Sequence, residues 1–185
     1  MEFSQRVMYE LVETAVSQFL IKDTTSIRDN ISERNLCARL AIQFENLLAI
    51  QKLEGYYADP EYNRKQNGKI KTILSGETEV IKVTCDLIVH SRGERGRDNL
   101  IAMEMAKPNK TSKQIRSDKL RLMALTKKSF NDTWSYDGVT HPEHVCGYLL
   151  GVFMMVDRAR HLVTLEYFED GELTANSKNF VVKPS

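Results

Sequence analysis

Apolar residues at three- and four-residue steps, Val7, Met8, Leu11, Val12, Ala15, Phe19 and Leu20, predict a helix over 4–21. The polar stretch from Lys22 to Asp29 ends it. Asn30, followed three positions later by Glu33, resembles a capping box opening a second helix that runs to about Lys52 on the stripe Leu36, Cys37, Leu40, Phe44, Leu47 and Leu48. Past Gly55 the period becomes that of strands, expected near 56–63, 80–90 and 99–106. Thr111 with Gln114 caps a third helix that ends near Lys128, with Ile115, Leu122 and Leu125 turned inward. A loop carrying Trp134 and Pro142 leads to two more strands, near 145–156 and 161–168, with turns at 157–160 and at Asp170-Gly171.

A strand, helix, strand passage implies a crossover and a parallel pair, whereas contiguous strands imply an antiparallel meander. The expected fold is therefore α/β, a mixed β-sheet of about five strands flanked by helices. Residues 1–29 form an N-terminal helical extension and 30–175 the core of a single domain spanning 1–185. The length of 185 residues and the apolar share of 42% suit one self-sufficient core and exclude disordered or collagen-like chains. Cys37, Cys85 and Cys146 have no paired spacing, which argues against a disulfide framework and for a reducing compartment. The longest apolar run, Tyr148 to Val156, is broken by Gly151 and is about half the ~20 residues a membrane-spanning helix needs. The opening residues show no basic region before an apolar run, so a cytoplasmic protein with no membrane partner is expected.

Charge is sorted along the chain. Residues 62–132 carry sixteen bases and eight acids, while 1–61 and 133–185 are both net acidic. A basic block is either a solvated face or the footprint of a polyanion held by clustered Lys and Arg.

Asp86 interrupts the apolar strand Cys85-Asp86-Leu87-Ile88-Val89, and Glu104 interrupts Leu100-Ile101-Ala102-Met103-Glu104-Met105-Ala106 in the same way. A buried, unpaired carboxylate costs several kcal/mol, so something must compensate each one. If the two strands pair, a divalent cation held between the acids does so, and Mg²⁺ suits carboxylate and water oxygens. Backbone amides or an arginine are the other way to satisfy them. Glu33, at the start of its helix's buried stripe, is either a third ligand or the reciprocal half of the capping box.

These residues resemble small standalone proteins of the PD-(D/E)xK nuclease superfamily, whose core is restriction-endonuclease-like. The resemblance runs from about Ser32 to Glu172 and rests on five short segments in order. They are Glu33-Arg34-Asn35-Leu36-Cys37-Ala38-Arg39-Leu40, Asp59-Pro60-Glu61-Tyr62-Asn63-Arg64, Cys85-Asp86-Leu87-Ile88-Val89-His90 with Arg92-Gly93, Asn99-Leu100-Ile101-Ala102-Met103-Glu104, and Asp118-Lys119-Leu120. It implies metal-dependent hydrolysis of nucleic-acid phosphodiesters, DNA ahead of RNA, with Mg²⁺ or Mn²⁺ as cofactor. Asp86 and Glu104 would be the two metal-binding acids and Glu33 the helix glutamate that completes the site. Arg64, Arg92, Arg95, Arg97 and Lys110 would hold the nucleic-acid backbone. Nucleases with this core often dimerise, so a homodimer is implied as well.

The pattern breaks at the lysine, which normally follows the second acid by two positions and so shares its strand face. That position is Ala106. Lys107 points to the opposite face in a regular strand and needs a β-bulge to return to the acids, or Lys119 supplies the ammonium from the following helix. Two classes of function stay open: an active nuclease using Glu33, Asp86, Glu104 and Lys107, and a non-catalytic nuclease-fold module that binds nucleic acid or protein.

Other chemistry is weaker. His141, His144 and Cys146, with Cys85, match no common zinc-site spacing. His90 shares a strand face with Asp86 and either touches the site or closes the strand end. Gly93 and Gly96 lack the context of a phosphate-binding loop. Tyr56, Tyr57 and Tyr62 lie close together and either stack on bases or, as is common for Tyr in strands, pack, and the paired methionines read as core filler.

Overall fold

A computed structural model describes residues 3–61, 72–75, 79–82, 85–128 and 147–182. Helix α1 (Gln5–Lys22) starts at Ser4, whose hydroxyl accepts the Val7 amide, and buries Met8, Leu11, Val12, Ala15, Val16, Phe19 and Leu20. A short helix α2 (Thr24–Arg28) leads into α3 (Glu33–Ile50). The cap of α3 is Ser32, which accepts the Asn35 amide, rather than Asn30, so the expected Asn30–Glu33 capping box does not form. Asn30 instead adopts a left-handed φ of 55° in the loop before the helix.

Six strands make one mixed sheet: β1 (Tyr57–Pro60), β4 (Leu87–His90), β5 (Asn99–Ala106), β6 (Leu150–Asp157), β7 (Leu162–Glu169) and β8 (Glu172–Val181), adjacent in that order. The β5–β6 pair is parallel and the other four pairs are antiparallel. Helix α4 (Ser112–Thr126) makes the crossover between β5 and β6 and opens with the Thr111–Gln114 capping box expected from the sequence. Strands β2 (Thr72–Ser75) and β3 (Glu79–Lys82) pair only with each other, as a separate antiparallel ribbon. The run read as one strand over 80–90 is thus the end of β3 and the whole of β4. The sheet has six strands rather than about five because β8 was missed. Its alternation is almost wholly polar, as an exposed edge strand allows.

Two cores sandwich the sheet. Helices α1 and α3 pack on one face against Leu87, Val89, Ile101, Met103, Met105, Val152 and Leu165. Helix α4 packs on the other, where Leu122 and Leu125 meet Ile88, Ala102, Ala106, Phe153 and Phe168. Strand β5 is buried along all eight residues because it is central and covered on both sides. Ala102, Glu104 and Ala106 face α4, and the two alanines are small where that helix sits close.

Candidate functional site

The antiparallel register sets Leu87 opposite Met103 and Ile88 opposite Ala102. Asp86 lies one residue before β4, near the level of Glu104 on β5, and its charge acts on the Glu104 carboxyl. The two acids do come together at the start of β4. The Asp86 carbonyl accepts the Glu61 amide at 3.0 Å, continuing the β1–β4 ladder to this level. Its carboxylate Oδ2 accepts the Met105 amide at 2.8 Å. Glu104 is 2% exposed, and its Oε1 accepts from Arg121 Nε at 2.6 Å and from the Cys85 thiol at 3.4 Å. These hydrogen bonds fall on one oxygen of each acid. Asp86 Oδ1 and Glu104 Oε2 keep no donor among the described residues.

Further acids and two cations extend the cluster. Arg121 Nη2 donates to Asp118 Oδ1 at 2.7 Å, an i,i+3 pair on α4. Lys110, in the loop before α4, donates to Asp118 Oδ2 at 3.0 Å and to the Met105 carbonyl at 2.8 Å, and lies 3.4 Å from Glu33 Oε2. Glu33 therefore joins the network through Lys110. Four carboxyl groups, Glu33, Asp86, Glu104 and Asp118, share two cations, so the cluster is short of positive charge. Burial first, and then the Asp86 charge, push the Glu104 carboxyl well above its ordinary range, more than Arg121 pulls it down. Asp118 and Asp86 together with Glu33 hold the Lys110 ammonium above its usual value against the effect of burial. Burial, with Glu104 next, pushes the Cys85 thiol far up, so it stays protonated.

Other expected site residues lie elsewhere. The β5–β6 register runs through Ala106 opposite Met155 with no bulge, so nothing re-aims Lys107. Its amino group donates instead to Asn30 Oδ1 at 3.0 Å and to the Ile31 carbonyl at 2.5 Å, on the loop entering α3. Lys119 pairs with Glu166 at 2.5 Å and lies over the Phe153 ring. Neither lysine joins the acids. Arg92, Arg95 and Arg97, expected to hold a nucleic-acid backbone, lie in the β4–β5 turn, at the other end of β4, which spans four residues at ~3.3 Å each. There Arg92 forms a two-pronged pair with Asp59, at 2.8 and 2.6 Å, over the Tyr57 ring. Arg95 donates to the Glu54 carbonyl at 2.8 Å. The Arg97 carbonyl accepts the Tyr56 hydroxyl. His90 sits at the same end, 2.9 Å from Asp59 Oδ2, and burial outweighs that acid in lowering its pKa. Arg64, Tyr62, His141, His144 and Cys146 lie outside the described residues, as do Trp134 and Pro142.

The sequence reading passed over Arg121. Its signal was there: three residues after Asp118 and next to inward-facing Leu122, it sits at the buried edge of α4, where an unpaired guanidinium is not tolerated. Among the described residues no three His, Cys, Asp or Glu side chains converge closely enough to hold a metal ion among themselves. No described helix is long and apolar enough to cross a membrane. Compared with protein-family models, curated proteins and solved structures, the chain has no significant match.

Proposed function

We propose that the chain is a divalent-metal-dependent hydrolase of nucleic-acid phosphodiesters, with a restriction-endonuclease-like core and Asp86 and Glu104 as its metal-holding pair. One observation carries the reading: Asp86, just before β4, and Glu104, in β5, lie close enough for the charge of one to act on the carboxyl of the other, and each accepts its hydrogen bonds on one carboxylate oxygen. The order of elements supports it too, since α3 precedes the antiparallel β1–β4–β5 meander and α4 returns the chain to a strand parallel to β5.

The donor set fits Mg²⁺ or Mn²⁺. These ions take one or two protein carboxylates and fill their remaining positions with water and substrate oxygens, so a third acid is not required. The deficit of positive charge in the cluster is of the kind that one divalent cation removes. Such an ion, when bound, lowers the pKa of water and offsets charge building on the phosphate.

The residues of the chain set the geometry. The Met105 amide fixes the Asp86 carboxylate, and Arg121 with Cys85 fixes Glu104, so both free oxygens are oriented before any ligand arrives. Lys110 donates to the Met105 carbonyl and to Asp118, and its ammonium pairs with Glu33 at 3.4 Å. It therefore ties the loop after β5 to the start of α3 and the middle of α4. Hydrolysis adds water across the ester: the water oxygen bonds to phosphorus, the bond to the leaving oxygen breaks, and a phosphate monoester and a hydroxyl result.

The test is incubation of the purified protein with duplex and single-stranded DNA, and with RNA, in Mg²⁺ or Mn²⁺. Cleavage that disappears in Asp86→Asn supports the reading. The second reading, a non-catalytic nucleic-acid-binding module, is favoured by Ala106 in the lysine position and by Lys107 and Lys119 being engaged elsewhere. It gains if the protein retards nucleic acid on a gel without cutting it.

A further inference from the structure

We propose that Arg121 is a catalytic residue of this site, the group that binds the reacting phosphate and stabilises the charge that develops on it, from α4 rather than from β5. The inference rests on the hydrolase reading and goes beyond it by naming the cation that contacts the substrate.

The geometry narrows the choice to one side chain. A group acting on a phosphate bound at Asp86 and Glu104 must be positively charged, adjacent to those acids, and left with donors to spare. Lys107 and Lys119 fail on position, and Lys110 is held by the Met105 carbonyl and Asp118 and paired with Glu33, with no hydrogen bond to Asp86 or Glu104. Arg121 Nε lies 2.6 Å from Glu104 Oε1, and its side chain is 15% exposed. A guanidinium carries five N–H donors in a planar fork. Two are directed at Glu104 and Asp118, which leaves three with no carboxylate partner among the described residues. A planar fork with donors remaining suits the tetrahedral oxygens of a phosphate.

Ala106 accounts for the switch. It lies on the same face as Glu104, fully buried, in the cluster that includes Leu122 of α4. With no long side chain at that position, α4 comes close enough for Arg121 to reach the acid from the side. Asp118 and Glu104 hold the guanidinium at a fixed angle, so little side-chain freedom is lost when a phosphate arrives.

A guanidinium this close to two acids stays charged at every working pH. Arg121 therefore takes no proton from the attacking water and gives none to the leaving oxygen; the water's proton passes to solvent, and the leaving oxygen takes its proton from solvent. Its contribution is electrostatic and should leave the pH–rate profile unchanged in shape.

The experiment compares the wild-type protein with Arg121→Met, Arg121→Lys and Arg121→Ala, reading DNA cleavage in Mn²⁺ and, separately, Mn²⁺ binding by calorimetry. Arg121→Met should lose about 100-fold or more in kcat, the scale of removing one preorganised donor to developing charge. It should bind Mn²⁺ at least as tightly as the wild type, because a competing cation has gone. Guanidinium added to Arg121→Ala should restore part of the rate without altering the pH profile. A kcat within about threefold of wild type in Arg121→Met overturns the inference. So does a lost rate that follows lost Mn²⁺ binding with no rescue, since that is the mark of a structural residue. If Arg121→Met does not fold, Arg121→Lys decides: a folded lysine variant as fast as wild type sinks the need for a fork. Wild-type protein that neither cleaves nor binds Mn²⁺ sinks the hydrolase reading and this inference with it. Wild-type cleavage that ignores Arg121 sinks this inference alone.

Discussion

The Asp86 carboxylate accepts the Met105 amide at 2.8 Å, a side chain doing the work of a strand neighbour. The β4–β5 register would set Cys85 opposite Met105, but β4 begins only at Leu87, so this main-chain donor on β5 has no ladder partner at that level. An acid at the mouth of the site therefore also closes the sheet. The proposed function and the fold meet at one residue.

Two substitutions separate those roles. Asp86→Ala leaves the Met105 amide unpaired in a buried strand and should cost about 1–3 kcal/mol of stability. Asp86→Asn keeps an oxygen acceptor of the same shape and should cost well under ~1 kcal/mol. Both should abolish metal-dependent cleavage. Urea denaturation of the two variants checks the first half, and equal stabilities would show that the hydrogen bond contributes nothing.

Glu104 gives the protein a pH dependence of unusual sign for a carboxylate. Its folded pKa lies above the ordinary Glu value of 4.5, so between that value and the folded one the native chain holds a proton that the unfolded chain has released. Stability then falls as pH rises through this window and is greatest below it. Glu104→Gln, which cannot ionise, should remove this downward slope, and subtracting its stability curve from that of the wild type isolates the residue. Added Mn²⁺ should flatten the wild-type curve by offsetting the ionised carboxylate. A difference curve that rises with pH would contradict the assignment.

Lys107 offers a contrast, because its ammonium joins the end of β5 to Asn30 and Ile31 at the entrance to α3. Lys107→Met should lower stability by about 1–2 kcal/mol through those hydrogen bonds. Cleavage and Mn²⁺ affinity should stay as in the wild type. Thermal unfolding and a cleavage assay on the same preparation test both statements, and a selective loss of rate would return Lys107 to the active site.

Much of this was legible in the sequence. The three long helices follow from apolar stripes, and β5 from an apolar run, interrupted only by Glu104, that matches a central strand almost residue for residue. Asp86 and Glu104 were visible because an acid in such a run has no cheap explanation. Other features were hidden for physical reasons. β8 is an exposed edge, so its side chains need not alternate. Strand pairing decides that β3 and β4 belong to different sheets, and no local pattern records pairing. The partner of Glu104 comes from seventeen residues further on, and its distance is set by how closely α4 approaches the sheet.

That approach rests on Gly151. A Cβ built there would lie 3.0 Å from Phe168 Cβ and 3.0 Å from Thr126 Cγ2, which is tighter than packed side chains accept. Thr126 cannot easily yield, since its hydroxyl donates to the Leu122 carbonyl at 3.0 Å and accepts the Gly171 amide at 3.1 Å. Gly151→Ala should therefore push the end of α4 off the sheet at a cost of about 1–3 kcal/mol, the usual range for overpacking a filled core. Arg121 lies on the same helix, little more than one turn before Thr126, so the shift should also loosen its pair with Glu104. The expected outcome is a lower unfolding midpoint together with a kcat that drops more than KM rises. Thr126→Ser, which removes the clashing methyl and keeps the hydroxyl, should restore part of both in the double variant. A Gly151→Ala protein as stable and as active as the wild type would show that α4 does not depend on this contact for its position.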